Sequence, residues 1–479
     1  MRGFQTFNPH LNDFNSTIYY SSSVEEVEFA LQKLQEATLT FSNSTAIQRS
    51  QLLKEISIEL STNKQVIQSF YCNESGLSKE RFETEFSRTL HQLASFSNFL
   101  EYEWEKLEIF TNTFENSPSL RRKKVAIGPV LVMGSSNFPL AYSTIGGDSV
   151  ASLAAGCPVV VKAHPMHVGT SLEVANCVFN AISKLELNEG IFQHLIDDGL
   201  EIAKQLINDT RIKAVGFTGS IKGGRALMDL ASARKSPIPV FAEMGSANPV
   251  VFLEHGFEDK MEYFTTIFAQ AVCMDAGQFC TKPGLIFIPK TIKGDELTSF
   301  LIQKVLNQSA FYMLHPNIKN NFERLKKERA SISPNSFYES TKILHDMQGR
   351  QAVLEIDSDF FLKHVQLQEE VFGPFTLIIR YFEFEDLENC LLSLDGQLTG
   401  SLIADRTQNL HFDKIVDLLA SKVGRLILNG IPTGVRVDQA MNHGGPYPAS
   451  SDSRFTAVGT QSIYRFLRNV TFQDFDLVF

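Results

Sequence analysis

Ala214-Val215-Gly216-Phe217-Thr218-Gly219-Ser220-Ile221-Lys222-Gly223-Gly224 reads as a buried strand that turns straight into the start of a helix. The apolar run from Ala214 to Phe217 is too short for a helix. Glycine and serine close it, and a helical pattern follows over Gly223 to Ala233. The same alternation extends outward in both directions. On the N-terminal side come Val125 to Met133, Thr144 to Ala155, Val159 to Lys162, Ser171 to Leu185, Phe192 to Ile196 and Glu201 to Ile207; on the C-terminal side comes Val240 to Glu243. Short strands alternating with helices this regularly imply βαβ crossovers and a parallel sheet. Ligands of such sheets bind beyond the carboxyl ends of the strands. Asn137, Lys162, Gly219-Ser220 and Glu243 all stand at those ends.

A second alternating set begins at Asn248, with strands at Asn248 to Leu253, Leu285 to Ile288, Phe375 to Tyr381 and Leu426 to Asn429. Helices are expected over Lys260 to Asp275, Asp295 to Gln308 and Ile318 to Ala330. Ahead of both sets, residues 1 to about 110 read as an acidic helical layer with no visible chemistry. Its helices cover Ser23 to Leu39 (behind a Ser23-x-x-Glu26 capping box), Ala46 to Leu60 and Lys79 to Tyr102. At the other end, Gly444-Gly445-Pro446-Tyr447-Pro448 is a rigid loop. Val470 to Phe479 reads as a terminal strand with alternating Phe472, Phe475 and Leu477, suited to pairing with another subunit.

The length of 479 residues calls for more than one core. A net charge of -10 argues against nucleic acid or an anionic membrane as the main partner. Six scattered cysteines, with no Cys-x-x-Cys pair, indicate neither a zinc site nor a disulfide framework. Reduced thiols, the absence of a signal-like pattern in Met1 to Asp13 and the absence of a long apolar window lead us to expect a soluble cytoplasmic protein.

No Gly-x-Gly-x-x-Gly follows a strand, so the usual dinucleotide fingerprint is missing. Gly219-Ser220 at a helix start can hold a phosphate or simply cap the helix. Lys162 can reach a ribose or phosphate, or be a solvated strand end. Glu243, beside Gly245, can be a general base or a cap partner. Asn137, before Phe138-Pro139, can be an amide donor or a turn residue. Cys280, in Asp275-Ala276-Gly277-Gln278-Phe279-Cys280-Thr281, lies on a glycine-bearing turn ahead of a strand, a setting that exposes a nucleophile.

Taken in order, Asn137-Phe138-Pro139, strand-end Lys162, Phe217-Thr218-Gly219-Ser220, Glu243-Met244-Gly245-x-x-Asn248-Pro249, Gly277-Gln278-Phe279-Cys280 and Glu370-x-Phe372-Gly373-Pro374 form a series. It resembles the aldehyde dehydrogenase superfamily from about residue 20 to the end. Lys162-Ala163-His164-Pro165 and His443-Gly444-Gly445-Pro446-Tyr447-Pro448-Ala449 look like the α-ketoglutarate semialdehyde (2,5-dioxopentanoate) dehydrogenase branch, which sits close to an NADP-preferring fatty aldehyde dehydrogenase.

The resemblance implies an α/β fold of two Rossmann-like parallel-sheet domains plus a small β oligomerisation element. Residues 1–112 and 131–244 would form the dinucleotide-binding domain, 245–430 the catalytic domain, and 113–130 with 440–479 the oligomerisation strands of a homodimer or homotetramer. Cys280 would be the nucleophile, Asn137 an oxyanion donor and Glu243 the base. The cofactor, NADP or NAD, would be held by Lys162, Gly219, Ser220, Glu370 and Phe372.

This chain departs from the family pattern in three places. Ser136 replaces the common Trp and makes that wall wider or more polar. Ala163-His164-Pro165 lacks the glutamate that would bind the adenosine ribose, which makes NADP admissible. Ser246 stands where a second glycine is usual. The expected reaction is oxidation of an aldehyde to an acid, 2,5-dioxopentanoate first. A broad or fatty aldehyde, transfer of the thioester to coenzyme A, and a silent homologue are the alternatives. Retention of Glu243 favours hydrolysis. A dioxo acid needs a cationic clamp, for which Arg436 and Arg454 are candidates, while the 39 phenylalanines could instead wall an apolar tunnel.

Overall fold

The computed structural model describes residues 2–107, 109–111 and 119–475. Four two-residue strands, β1 (Gly3–Phe4), β2 (Phe7–Asn8), β3 (Asp13–Phe14) and β4 (Tyr19–Tyr20), precede the helices α1 (Val24–Ser42), α2 (Ala46–Thr62), α3 (Lys64–Ser75) and α4 (Lys79–Tyr102). The capping box at α1 forms: the Ser23 hydroxyl accepts from the Glu26 N–H, and the Glu26 carboxylate accepts from the Ser23 N–H. α3 lies in a stretch without a clear periodic signal, since only Ile67 and Tyr71 mark its buried apolar face.

β5 (Ile109–Thr111) and β6 (Leu120–Ala126) belong to a small antiparallel sheet. After them come β7 (Val130–Met133), α5 (Gly147–Ala155), β8 (Val159–Lys162), α6 (Val168–Lys184), β9 (Phe192–Leu195), α7 (Glu201–Asn208), β10 (Ala214–Thr218), α8 (Ile221–Ser232) and β11 (Val240–Glu243). The five strands form one parallel sheet in the order β11-β10-β7-β8-β9. β7 and β8 are buried along their whole length, as expected where helices cover both faces of a parallel sheet. The expected run Val125 to Met133 is in fact two strands in different sheets. Gly128, with φ +115°, turns the chain between them, and Pro129 removes a ladder donor.

The second unit runs β12 (Pro249–Phe252), α9 (Met261–Cys273), β13 (Leu285–Pro289), α10 (Ile292–Asn307), α11 (Pro316–Ile332), β14 (Phe337–Glu339), β15 (Ala352–Asp357), α12 (Ser358–Lys363), β16 (Phe375–Tyr381), α13 (Phe384–Ser393), β17 (Gln397–Ile403), α14 (Phe412–Lys422) and β18 (Val423–Leu428). Its seven strands lie in the order β14-β15-β16-β13-β12-β17-β18, parallel except for β14. β17 is wholly buried although Gln397, Thr399 and Ser401 break its apolar pattern. Gln397 accepts from the Ala247 and Asn248 N–H groups, and Thr399 donates to Asn248. These polar side chains support the loop that follows β11.

β19 (Leu467–Gln473) pairs antiparallel with β6 and is an edge strand of the order β19-β6-β5. It starts before the expected Val470 and stops at Gln473, where Asp474 takes φ +57°. Leu477 lies outside the described residues, as do positions 112–118. No helix among the described residues is long and apolar enough to cross a membrane.

Candidate active site

The carboxyl ends of the first sheet deliver most of the expected residues to one place. β7 leads into Gly134-Ser135-Ser136-Asn137, β10 into Gly219-Ser220, and β11 ends at Glu243. The Asn137 turn is held by a residue the sequence did not single out. Glu85 of α4, fully buried, accepts from the Leu140 and Ala141 N–H groups, both at 2.9 Å, and from Tyr71 Oη at 2.7 Å. His167 Nε2 also meets the Ser135 carbonyl at 2.9 Å.

The cysteine turn departs from ordinary backbone geometry. Asp275, Ala276 and Gly277 all take positive φ, at 46°, 56° and 64°. Such conformations cost free energy at non-glycine residues and persist only when the surroundings impose them. Here Arg81 Nε donates to the Asp275 carboxylate at 2.8 Å. Gln278 donates to the Asp275 and Tyr312 carbonyls and accepts from the Leu314 N–H. A Cβ at Gly277 would come within 2.3 Å of the Gly373 carbonyl oxygen, so only glycine fits. Beyond the turn, Asn248 Nδ2 donates to the Cys280 and Lys282 carbonyls at 2.8 and 2.9 Å.

Cys280 Sγ lies 3.7 Å from His443 Nε2, and the same nitrogen lies 3.3 Å from Glu243 Oε2. His443 and Glu243 are both buried, and Glu243 Oε2 has no aligned hydrogen-bond partner among the described residues. Asn137 Nδ2 donates one N–H to the Gln278 carbonyl at 2.8 Å, which leaves its second N–H uncommitted beside the cysteine turn. Burial pushes the Cys280 thiol well above its ordinary pKa, and the Glu243 and Glu370 carboxylates push it the same way against Arg88. The resting side chain is therefore a thiol, and the thiolate fraction grows as pH rises. Alkylation of Cys280 by iodoacetamide, followed by peptide mass, is expected to accelerate about tenfold per pH unit from pH 7 to 9 without levelling. A plateau by pH 8 would contradict this.

The sequence spacing indicates no metal site, yet folding brings Cys280, His443 and Glu243 ligand atoms within 4.8 Å of one another. The 3.7 and 3.3 Å separations are near the edges of a tetrahedron with metal–ligand bonds of about 2.0–2.3 Å. Micromolar Zn²⁺ is expected to inhibit by occupying these atoms. Recovery of full activity on dialysis against a chelator is the check.

Two cavities reach Cys280, and among the described residues it is the one that lines both. The first, of about 290 Å³, is lined by Asn137, Gly219, Ser220, Glu243, Glu370 and Phe372 together with Gly134-Ser135-Ser136 and Gly245. Gly245 lies directly against Glu370 in this lining: a Cβ there would fall 2.3 Å from Glu370 Oε2. α8 starts at its rim, where Ser220 caps the helix by accepting from the Gly223 N–H at 3.1 Å. Burial raises the pKa of Glu370, with Lys282 opposing, and burial lowers that of Lys282, whose Nζ donates to the Phe375 carbonyl. Lys162 lies outside this lining, buried at the end of β8, with Nζ donating to the Asp197 carbonyl at 2.8 Å. His164 lines the cavity instead.

The second cavity, of about 370 Å³, is walled by Phe138, Tyr142, Met274, Phe279, Ile431, Val435 and two arginines, Arg81 and Arg88. Both arginines come from α4, in the layer where the sequence shows no chemistry. Arg436 and Arg454, the candidate clamps, are exposed and pair with Asp438 and Asp452. Neither lines the cavity, because the chain folds their loops outward. His443 and Asn248 fall inside motifs visible in the sequence, but nothing in the linear order gave them a role.

A thiol thus stands between two cavities at the ends of a parallel sheet, with a buried carboxylate and an amide beside it. The chain belongs to the aldehyde dehydrogenase family, whose model matches residues 2–311. It is 36% identical to the alpha-ketoglutaric semialdehyde dehydrogenase of Acinetobacter baylyi over 97% of this chain and 91% of that one. It is 35% identical to alpha-ketoglutaric semialdehyde dehydrogenase 2 of Azospirillum brasilense over 98% and 91%. Among solved structures, it shares its fold with the NADP complex of a glyceraldehyde-3-phosphate dehydrogenase from Methanocaldococcus jannaschii. That match has a TM-score of 0.84 and 16% identity, covering 98% of this chain and 99% of that one.

Proposed function

We propose that this enzyme oxidises 2,5-dioxopentanoate to 2-oxoglutarate with NADP or NAD, through a thiohemiacetal and a thioester on Cys280. The observation that carries the reading is that Cys280 is the one residue, among those described, shared by the two cavities. One has a glycine-bearing lining and a helix start suited to a dinucleotide. The other has apolar walls suited to an aldehyde.

Cys280 Sγ attacks the aldehyde carbon as its proton leaves to a neighbouring base, and His443 Nε2 stands 3.7 Å from the sulfur. The free N–H of Asn137 and the Cys280 backbone N–H stabilise the alkoxide that develops. A nicotinamide dinucleotide in the first cavity would supply the hydride acceptor needed for that alkoxide to collapse to the thioester. Gly219 and Ser220 at the start of α8 would hold its pyrophosphate, Lys162 the adenosine ribose and Glu370 the nicotinamide ribose, and Phe372 would line that end. Glu243 then takes a proton from the water that hydrolyses the thioester. A homodimer or homotetramer built on the β19-β6-β5 edges completes the assembly.

NAD(P)H formation at saturating NAD and then NADP, with 2,5-dioxopentanoate beside hexanal, tests the reading. Faster turnover of the dioxo acid supports it. Turnover of hexanal alone would overturn the substrate and leave a broad aldehyde dehydrogenase.

A further inference from the structure

The two arginines of the second cavity differ in how they are paired. Arg81 has Nε on Asp275 at 2.8 Å and Nη1 on Glu85 at 3.2 Å, so its charge is balanced within the protein. Arg88 forms no ion pair among the described residues. Its Nε donates to the Val435 carbonyl at 3.3 Å and its Nη2 to the Tyr142 hydroxyl at 2.9 Å, while Nη1 is buried without a partner. A guanidinium held in an apolar wall with an idle N–H is unfavourable until an anion completes it.

Two further groups on the same wall are incompletely bonded. Thr433 Oγ1 is buried without a partner among the described residues. Tyr142 Oη accepts from Arg88, which leaves its own O–H without an acceptor among the described residues. Burial raises the Tyr142 pKa, so that proton is retained. All three residues line the cavity that ends at Cys280.

We infer that Arg88, Tyr142 and Thr433 form an anion subsite that binds the carboxylate at the far end of a short aldehyde acid and selects it over uncharged aldehydes. The inference rests on the proposed function in taking the second cavity as the aldehyde side. A small rotation of the Arg88 guanidinium brings Nη1 to the cavity, where a carboxylate accepts from it and from the Tyr142 and Thr433 hydroxyls. Charge-assisted bonds of this kind are strongest where water is excluded. The subsite is absent from the linear sequence because Arg88 and Thr433 are hundreds of residues apart.

The test compares wild type, Arg88→Met, Arg88→Lys and Tyr142→Phe with 2,5-dioxopentanoate and hexanal. Losing one charge-assisted contact is expected to lower the kcat/KM ratio of dioxo acid to hexanal about thirty- to a hundredfold in Arg88→Met, mainly through KM. Arg88→Lys is expected to restore part of that ratio, and Tyr142→Phe to lower it a few-fold. Glutarate, an unreactive diacid, should slow alkylation of Cys280 in wild type and not in Arg88→Met. Equal losses for both substrates, or glutarate protection that survives in Arg88→Met, would overturn the subsite. If wild type turns over neither aldehyde with Cys280 reduced, the proposed function fails. Glutarate protection lost in Arg88→Met would then still support the anion subsite, and absent protection in wild type would overturn it.

Discussion

Cys280→Ala is expected to lower NAD(P)H formation by at least about 10⁴-fold, because removing a covalent nucleophile leaves only binding and electrostatics. The expectation is specific to this thiol. Cys157, Cys177, Cys273 and Cys390 are buried, and no cysteine other than Cys280 lines either cavity of the site. Cys273, seven positions earlier in the chain, faces the Val305 carbonyl instead. The side chain removed is small and stands at a cavity junction, so the fold is expected to survive. Turnover, thermal unfolding and the mass of the alkylated peptide together make the test. Substantial residual turnover in a folded variant would remove Cys280 from the reaction.

Glu243→Gln is expected to separate the two halves of the reaction. The glutamine keeps the shape at the end of β11 but loses the negative charge and the basic lone pair of Oε2, which has no hydrogen bond among the described residues. General-base removal costs roughly 10²–10⁴-fold, and steady-state turnover should fall by that factor. The first turnover should persist as a burst of one NAD(P)H per competent site, with an acyl adduct on Cys280 visible by mass. A second effect has the opposite sign. Because the Glu243 carboxylate holds the Cys280 thiol up, its removal lowers the thiol pKa, and alkylation at a given pH should become faster. Loss of the burst together with turnover would place Glu243 in thiol activation rather than hydrolysis.

The elements of the first sheet are largely legible because their signals are local. Val159 to Lys162 and Val240 to Glu243 are strands at their expected bounds. Where polar residues serve another element, the pattern hides the strand: β17 is buried, yet its Gln397 and Thr399 are spent on Asn248 and its neighbours. The split of Val125 to Met133 follows from Gly128 and Pro129, whose backbone limits override a continuous apolar reading.

The candidate nucleophile, base and amide donor are legible in the linear chain. Cys280, Glu243 and Asn137 lie in motifs whose turn residues (Gly277, Gly245, Pro139) are local requirements for placing them at strand ends and bends. What surrounds those three groups is set by folding alone. Folding brings Glu85 of an early helix to the Asn137 turn and Arg88 of the same helix to the cavity that ends at Cys280, and it sets His443 Nε2 between Sγ and Oε2. It also turns Arg436 and Arg454 away to the surface. The physical reason is range. A turn depends on the φ of a few neighbouring residues, whereas the charge, burial and shape of a cavity are sums over segments that meet only when the chain folds.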